Sequence, residues 1–452
     1  MDELPVVSLW RPDAVEPRVL SADSQGRVLS HTSAGQAQHG LHLPGLVNLH
    51  SHAFQRAMAG AAERRLHPSD SFWTWRETMY ALAERFDPDR LQAVAAQLYA
   101  EMLEAGFTRV CEFHYLHHAP DGRPYADPAS MSLALIEAAR ETGIGLTLLP
   151  VLYMQGGFDG RALGPRQRRF GLDVERWLQL FERLRGENLL GLVVGCALHS
   201  LRAVPPEAMA ELLAQLPADC PIHVHIAEQV GEVQECLAVR GQRPVAWLLA
   251  NAPVDARWTL VHATHLDAYE RRALAASGAV AGLCPTTEAN LGDGLFPLPE
   301  FLAEGGRIGI GSDSHVSVSL VEELRWLEYG QRLQRRQRTL AADEAQPGVA
   351  ARLLQACLAS GARSGGRSSQ LAGHAQPLQP GADLDLLELD AAHPAFAGAD
   401  PAHWPERWVF ASNRPAVARV WARGQLCVEG GRHRQADALQ SRFVRAMQQL
   451  HA

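Results

Sequence analysis

The sequence predicts a (β/α)8 TIM-like barrel with a small β-sandwich domain built from both chain termini. Three observations predict it. From about Leu43 to Ser360, eight short apolar runs alternate with Ala/Leu/Arg/Glu-rich helical stretches. Strand-like texture with turn signals appears only before and after that region. A polar or titratable side chain ends seven of the eight apolar runs. Short buried strands alternating with helices imply parallel pairing through right-handed crossovers, and eight such units close into a barrel whose sites lie at the C-terminal strand ends. An open doubly wound sheet is the rival, but no G-x-G-x-x-G follows the first strand.

Taken in order, Val6 to Trp10, Arg18 to Ser21 and Arg27 to Ser30 read as strands, with Ala22-Asp-Ser-Gln-Gly26 as turn chemistry between the last two. The barrel strands are expected at Leu46 to His52, Thr108 to His114, Gly145 to Tyr153, Gly191 to His199, Pro221 to Ala227, Trp258 to Thr264, Ala279 to Cys284 and Arg307 to Asp313. Helices are expected at Leu91 to Ala105, Ala129 to Thr142, Val174 to Arg185, Pro206 to Gln215 and Glu232 to Asn251. The loop after the first strand, Ala53 to about Asp87, is long and carries Arg56, Arg64, Arg65, Trp73, Trp75 and Arg76. Long loops inside compact domains serve function or are disordered, and the tryptophans favour an ordered cover over a substrate. Ser364 to Pro380 reads as the return to the sheet domain, where Gly381 to Asp390, Trp408 to Ser412 and Val417 to Val428 look like strands. The division expected is residues 1–43 plus 375–436 for the composite β domain, 44–374 for the barrel, and 437–452 for a terminal helix on the outside.

Composition narrows the function class. The 452 residues are 47% hydrophobic and 20% charged with net charge −8, which leaves no basic footprint for nucleic acid. No apolar run approaches the length of a membrane span. The opening Met1-Asp-Glu-Leu-Pro5 lacks the basic and apolar regions of an export signal. Seven scattered cysteines without a C-x-x-C suit reduced core positions in a cytoplasmic protein. All 42 basic residues are arginine; there is no lysine.

The first strand ends in His50-Ser-His52, and residues two apart on a strand point to the same side, so both imidazoles can face one point. With 20 His in the chain an H-x-H arises about once by chance, and a second, His223-Val-His225, does occur. The case rests on the other strand ends: His114, Tyr153, His199, His225 with Glu228, His262 and Asp313. A chance origin would have to place all of them at the functional rim. His50, His52, His225 and Asp313 supply three imidazoles and one carboxylate, a donor set for a divalent ion of zinc type, and such a site brings the pKa of water near 7. Two-metal barrels of this kind usually bridge their ions with a carboxylated lysine, so a chain without lysine favours one ion. His223 lies deeper and lacks a following Glu, which favours a core role. None of His114, His117 and His118 is assigned as a ligand, and Cys284, with no paired base in view, reads as packing.

Leu43-Pro-Gly-Leu-Val-Asn-Leu-His-Ser-His52, His225-Ile-Ala-Glu228, Val261-His262 and Gly311-Ser-Asp-Ser314 resemble the amidohydrolase superfamily in its deaminase branch, across the whole barrel and the two-ended sheet domain. The resemblance implies metal-dependent hydrolysis of a C–N bond with release of ammonia. His52 to Gly60, Phe72 to Glu77, Glu112 to Tyr115 and Leu198 to Val204 are most similar to branch members that convert N-formimino-L-glutamate to N-formyl-L-glutamate in histidine degradation. It implies Glu228 as the group that pairs with the amidine and moves its proton, His262 as a hydrogen-bond partner of the metal-bound hydroxide or the tetrahedral oxyanion, and Asp313 as a proton acceptor. It further implies Arg202 and Arg76 as carboxylate partners, aided by Gln55, Tyr115 and His199, and a homodimer. The alternative is another deaminase of the branch, acting on guanine or a related purine, whose pocket would want stacking and amide contacts rather than two arginines. A non-catalytic barrel would have no need of every ligand together with Glu228.

Overall fold

A computed structural model describes residues 6–11, 14–35, 40–64, 72–367 and 378–452. Eight parallel strands follow one another around the barrel: Leu46–Ser51, Phe107–His114, Gly145–Leu152, Cys196–Ser200, Ile222–Ile226, Trp258–His262, Val280–Leu283 and Arg307–Ile310. Each falls within one residue of a predicted run at its N-terminal edge, except the fourth. There Val193–Val194 pairs separately with the third strand before Cys196–Ser200 begins. Gly195 sits at the break, where a Cβ would stand 2.6 Å from Leu149.

The ring closes between its first and last strands. Ser51 and Asp313 form a parallel bridge; the His52 amide donates to the Asp313 carbonyl at 3.2 Å, and the Asp313 amide to the His50 carbonyl at 3.0 Å. Gly311 permits this approach, since a Cβ there would lie 2.8 Å from the His50 backbone nitrogen. The seam therefore brings the H-x-H and Asp313 side by side through backbone pairing alone.

Local sequence explains the helices between the strands. Asp87, Asp173 and Asp267 cap Pro88–Ala105, Val174–Arg185 and Ala268–Ser277 by accepting amide hydrogens of the first turn. The single helix expected from Glu232 to Asn251 is two, Val230–Arg240 and Pro244–Asn251. Gly241, at φ +70°, ends the first in the left-handed region and Pro244 starts the second. The long first loop holds a 3-10 turn, Ala53–Met58, and a helix, Phe72–Ala83. Arg65 and the side chain of Trp73 lie outside the described residues, as does most of the return connection after Ser364.

The termini combine in one mixed eight-stranded sheet, in the order Arg432–His433, Gln425–Glu429, Val417–Ala422, Leu386–Leu389, Leu41–Pro44, Val7–Arg11, Ala14–Ala22 and Val28–Ser33. Its two halves enclose an apolar cluster of their own that includes Leu9, Leu20, Val28, Leu386 and Trp421. The strand expected at Trp408 to Ser412 is instead part of a helix, Trp404–Phe410. Pro405 suits its first turn, and Trp404 stacks on Phe396 at 4.4 Å between centroids. The terminal helix, Ala436–His451, packs on the outside of the barrel, where its Leu450 carbonyl accepts from Arg85 at 2.8 Å.

Candidate metal centre and substrate pocket

His50 and His52 are buried at the closing seam. The Nδ1 of His52 donates to the Phe113 carbonyl and that of His225 to the His199 carbonyl, each at 2.8 Å. Each bond leaves Nε2 as the lone-pair nitrogen. Both Nε2 atoms converge on Nε2 of His50, at 3.1 Å from His52 and 2.9 Å from His225. The lone pairs of His52 and His225 are thus aimed at one point beside His50, as a shared cation requires. Asp313 Oδ1 completes the group, 3.4 Å from His50 Nε2 and 3.5 Å from His52 Nε2. The donor set, three imidazoles and a carboxylate, fits a divalent ion.

Electrostatics keep these groups in ligating form. Burial, reinforced by the neighbouring His50, pulls His52 down to about 3, and burial likewise lowers His50 and His225, so the rings are neutral. For Asp313, burial favours the acid, but the surrounding imidazoles outweigh it and hold the carboxyl well below its ordinary range. The backbone is strained where function concentrates: Asp313 and His262 have φ of +46° and +66°, and Ala227, just before Glu228, +52°.

His262 faces the same point. Its Nδ1 bonds Glu288 Oε1 at 3.2 Å, and its Nε2 lies 3.9 Å from both Glu228 Oε1 and Asp313 Oδ2. Burial opposes a charge on this ring, yet the carboxylates of Glu228, Glu288 and Asp313 raise it to about 10. Burial pushes Glu228 up to about 7.

One cavity collects the rest. Gln55, Arg76, Tyr115, His199, Arg202 and Glu228 all line it, together with His52, His225, His262 and Asp313. Gln55 donates to the Tyr115 hydroxyl at 2.9 Å, the His199 ring lies 4.3 Å from that of Tyr153, and the Arg76 guanidinium sits 5.5 Å over Tyr80. Arg202 is 9% exposed, and its guanidinium makes no hydrogen bond or ion pair with a described residue. Sequence reasoning missed Tyr80, Glu232 and Glu288. Glu232 lines the cavity and its carboxylate accepts the amides of Ala227 and Glu228, each at 3.2 Å, fixing the turn that aims Glu228. A Glu in the first turn of a helix is too common to mark such a role. His223 donates to the Ser364 carbonyl at 2.9 Å, a core role, and the buried Cys284 has its thiol pushed up by burial.

The amidohydrolase family model matches residues 41–427. The chain is 52% identical over 412 residues to formimidoylglutamate deiminase of Pseudomonas aeruginosa, covering 90% of this chain and 89% of that one. It is 30% identical over 402 residues to 8-oxoguanine deaminase of the same organism, covering 83% of each. The crystal structure of an amidohydrolase from Brucella melitensis superposes with a TM-score of 0.94 at 43% identity, covering 100% of both chains. Strand-end ligands, closing seam and sequence thus agree, and the chain belongs to the amidohydrolase family.

Proposed function

We propose that the protein hydrolyses the C–N bond of N-formimino-L-glutamate, giving N-formyl-L-glutamate and ammonia in histidine degradation. The observation that carries this reading is the polarity of one cavity. Glu228 and Asp313 line it beside His52, His225 and His262, and the guanidiniums of Arg76 and Arg202 line the same cavity. A substrate with a cationic amidine at one end and two carboxylates at the other matches that polarity; a neutral purine does not. Ammonia release from formiminoglutamate, guanine and 8-oxoguanine tests it. Formiminoglutamate is expected to show the highest kcat/KM, and a preference for either purine overturns the assignment.

His50, His52, His225 and Asp313 would hold one divalent ion, with zinc favoured by the nitrogen-rich donor set. The ion would supply Lewis-acid polarisation and lower the pKa of water. Asp313, with Oδ2 turned toward His262, accepts a proton from the attacking water. His262, anchored at Nδ1 by Glu288, donates from Nε2 to the developing oxyanion. Glu228 pairs with the amidinium and passes the proton to the departing nitrogen. Arg202 and Arg76 take the carboxylates, with Gln55, Tyr115 and His199 shaping the pocket between.

The same reading includes a homodimer, a cytoplasmic setting and the division into residues 1–43 with 375–436, 44–374 and 437–452. Two features support the setting: all seven cysteines are free and buried, and no described helix is long and apolar enough to cross a membrane.

A further inference from the structure

Behind the metal centre, away from the substrate cavity, lies a buried polar chain that the chemistry above does not use. Asn48 Nδ2 donates to Ser312 Oγ at 2.6 Å; Ser312 Oγ meets His315 Nδ1 at 2.9 Å; His315 Nε2 meets Ser51 Oγ at 3.2 Å; and Ser51 Oγ donates to Glu112 Oε2 at 2.5 Å. The other Glu112 oxygen accepts the Ala53 amide at 2.6 Å, and Asn48 Oδ1 accepts the amides of Ser312 at 3.1 Å and His50 at 3.4 Å. All five residues are at most 2% exposed.

The direction of every proton in the chain follows from its ends. Asn48 Oδ1 accepts two amides, so its Nδ2 donates to Ser312, and from that end Ser51 accepts from His315 Nε2–H and donates to Glu112. His315 Nδ1 is then the lone pair that accepts from Ser312, whose oxygen accepts from Asn48. The chain touches the backbone or neighbours of each seam ligand: Ser51 lies between His50 and His52, Ala53 follows His52, and Ser312 precedes Asp313. We propose that Glu112, through Ser51, His315, Ser312 and Asn48, is a positioning residue that sets the first-strand histidines against Asp313 and so governs how tightly the site retains its ion. Outer partners of metal ligands are worth roughly 10–100-fold in metal affinity.

Glu112→Gln tests the polarity at constant shape. An amide carries an NH2 donor on one side and an oxygen acceptor on the other, so whichever way it turns, its NH2 faces the Ala53 donor or reverses the chain into the Asn48 amide. The variant is expected to lose its metal to a chelator roughly 10–100-fold faster, with KM within about twofold of wild type and a narrower gap between holo and apo melting temperatures. A purely structural brace would lower both melting temperatures equally and leave the gap intact, and that result, or an unchanged rate of metal loss, overturns the proposal. Should the variant not fold, Ser51→Ala breaks the same link and is read in the same way. In the unaltered protein, 15N shifts of labelled histidine are expected to show His315 protonated at Nε2; protonation at Nδ1 overturns the chain without any variant. The proposal rests on the metal-site reading. Wild-type protein that retains no divalent ion would sink that reading, whereas a metal-loaded wild type and an equally retentive Glu112→Gln would sink only this one.

Discussion

Arg202 lies just past the fourth barrel strand, nearly buried; its guanidinium feels the charges of Glu232 and Glu228 but makes no hydrogen bond or close ion pair with a described residue. A charge held out of water in this way needs a partner, and a substrate carboxylate supplies one. Losing such a contact costs about 2–5 kcal/mol when the partner stays desolvated. Arg202→Ala should therefore lower kcat/KM for formiminoglutamate by a factor of roughly 30 to several thousand, with metal content unchanged by elemental analysis. An unaltered rate would remove the dicarboxylate argument. At this scale the sequence was legible where strand periodicity applies: His50 and His52 share a face because they are two apart. Glu112, Glu232 and Glu288 were not legible in their roles, because they act on amides, a hydroxyl or a ring nitrogen brought near only by the fold.

Elements were readable wherever a cap or a period marks them, and failed where tertiary packing decides. Trp408-Val-Phe has strand-like composition, yet Pro405 and the stack on Phe396 make it a helix. The end of the second strand shows a different consequence of packing. His117 follows that strand, buried, and its Nε2 donates to the Val151 carbonyl of the third strand at 3.0 Å. Burial, against that bond, lowers it to about 3. A histidine whose folded pKa lies below its ordinary 6.5 stabilises the protein fully above about pH 6.5, and the contribution fades as pH falls toward the folded value. By pH 5 the loss is on the order of 2 kcal/mol. His117→Gln keeps an N–H donor but cannot take up the proton, so its urea midpoint should drop less between pH 7 and pH 5 than that of wild type. Parallel declines would exclude His117 from the acid sensitivity.

At the scale of the whole molecule, the barrel was predictable because eight alternations leave few other closures, and the two-ended sheet because both termini share one texture. What sequence could not show is that the barrel's seam and the candidate metal site coincide. With no lysine to bridge two ions, and with His50, His52, His225 and Asp313 converging at the seam, elemental analysis of active protein should return one divalent ion per chain; two tightly held ions would contradict it. Stripping that ion should also lower the melting temperature, since a ligand at 1,000 times its Kd adds about 4 kcal/mol to the folded state.

The seam also orders events in time. Asn48 and Ser312, bonded across it, are 264 residues apart in the chain. Bringing such distant segments together costs about 5 kcal/mol of loop-closure entropy, so contact between the first and eighth strands is disfavoured until the strands between them have paired. During synthesis, His50 and His52 emerge long before His225 and Asp313, the other two residues of the donor set. A metal ion meeting the nascent chain finds two imidazoles and no cage. Loading of the proposed ion would thus be coupled to the final act of folding, and the ion would be a clasp that only a completed barrel can close.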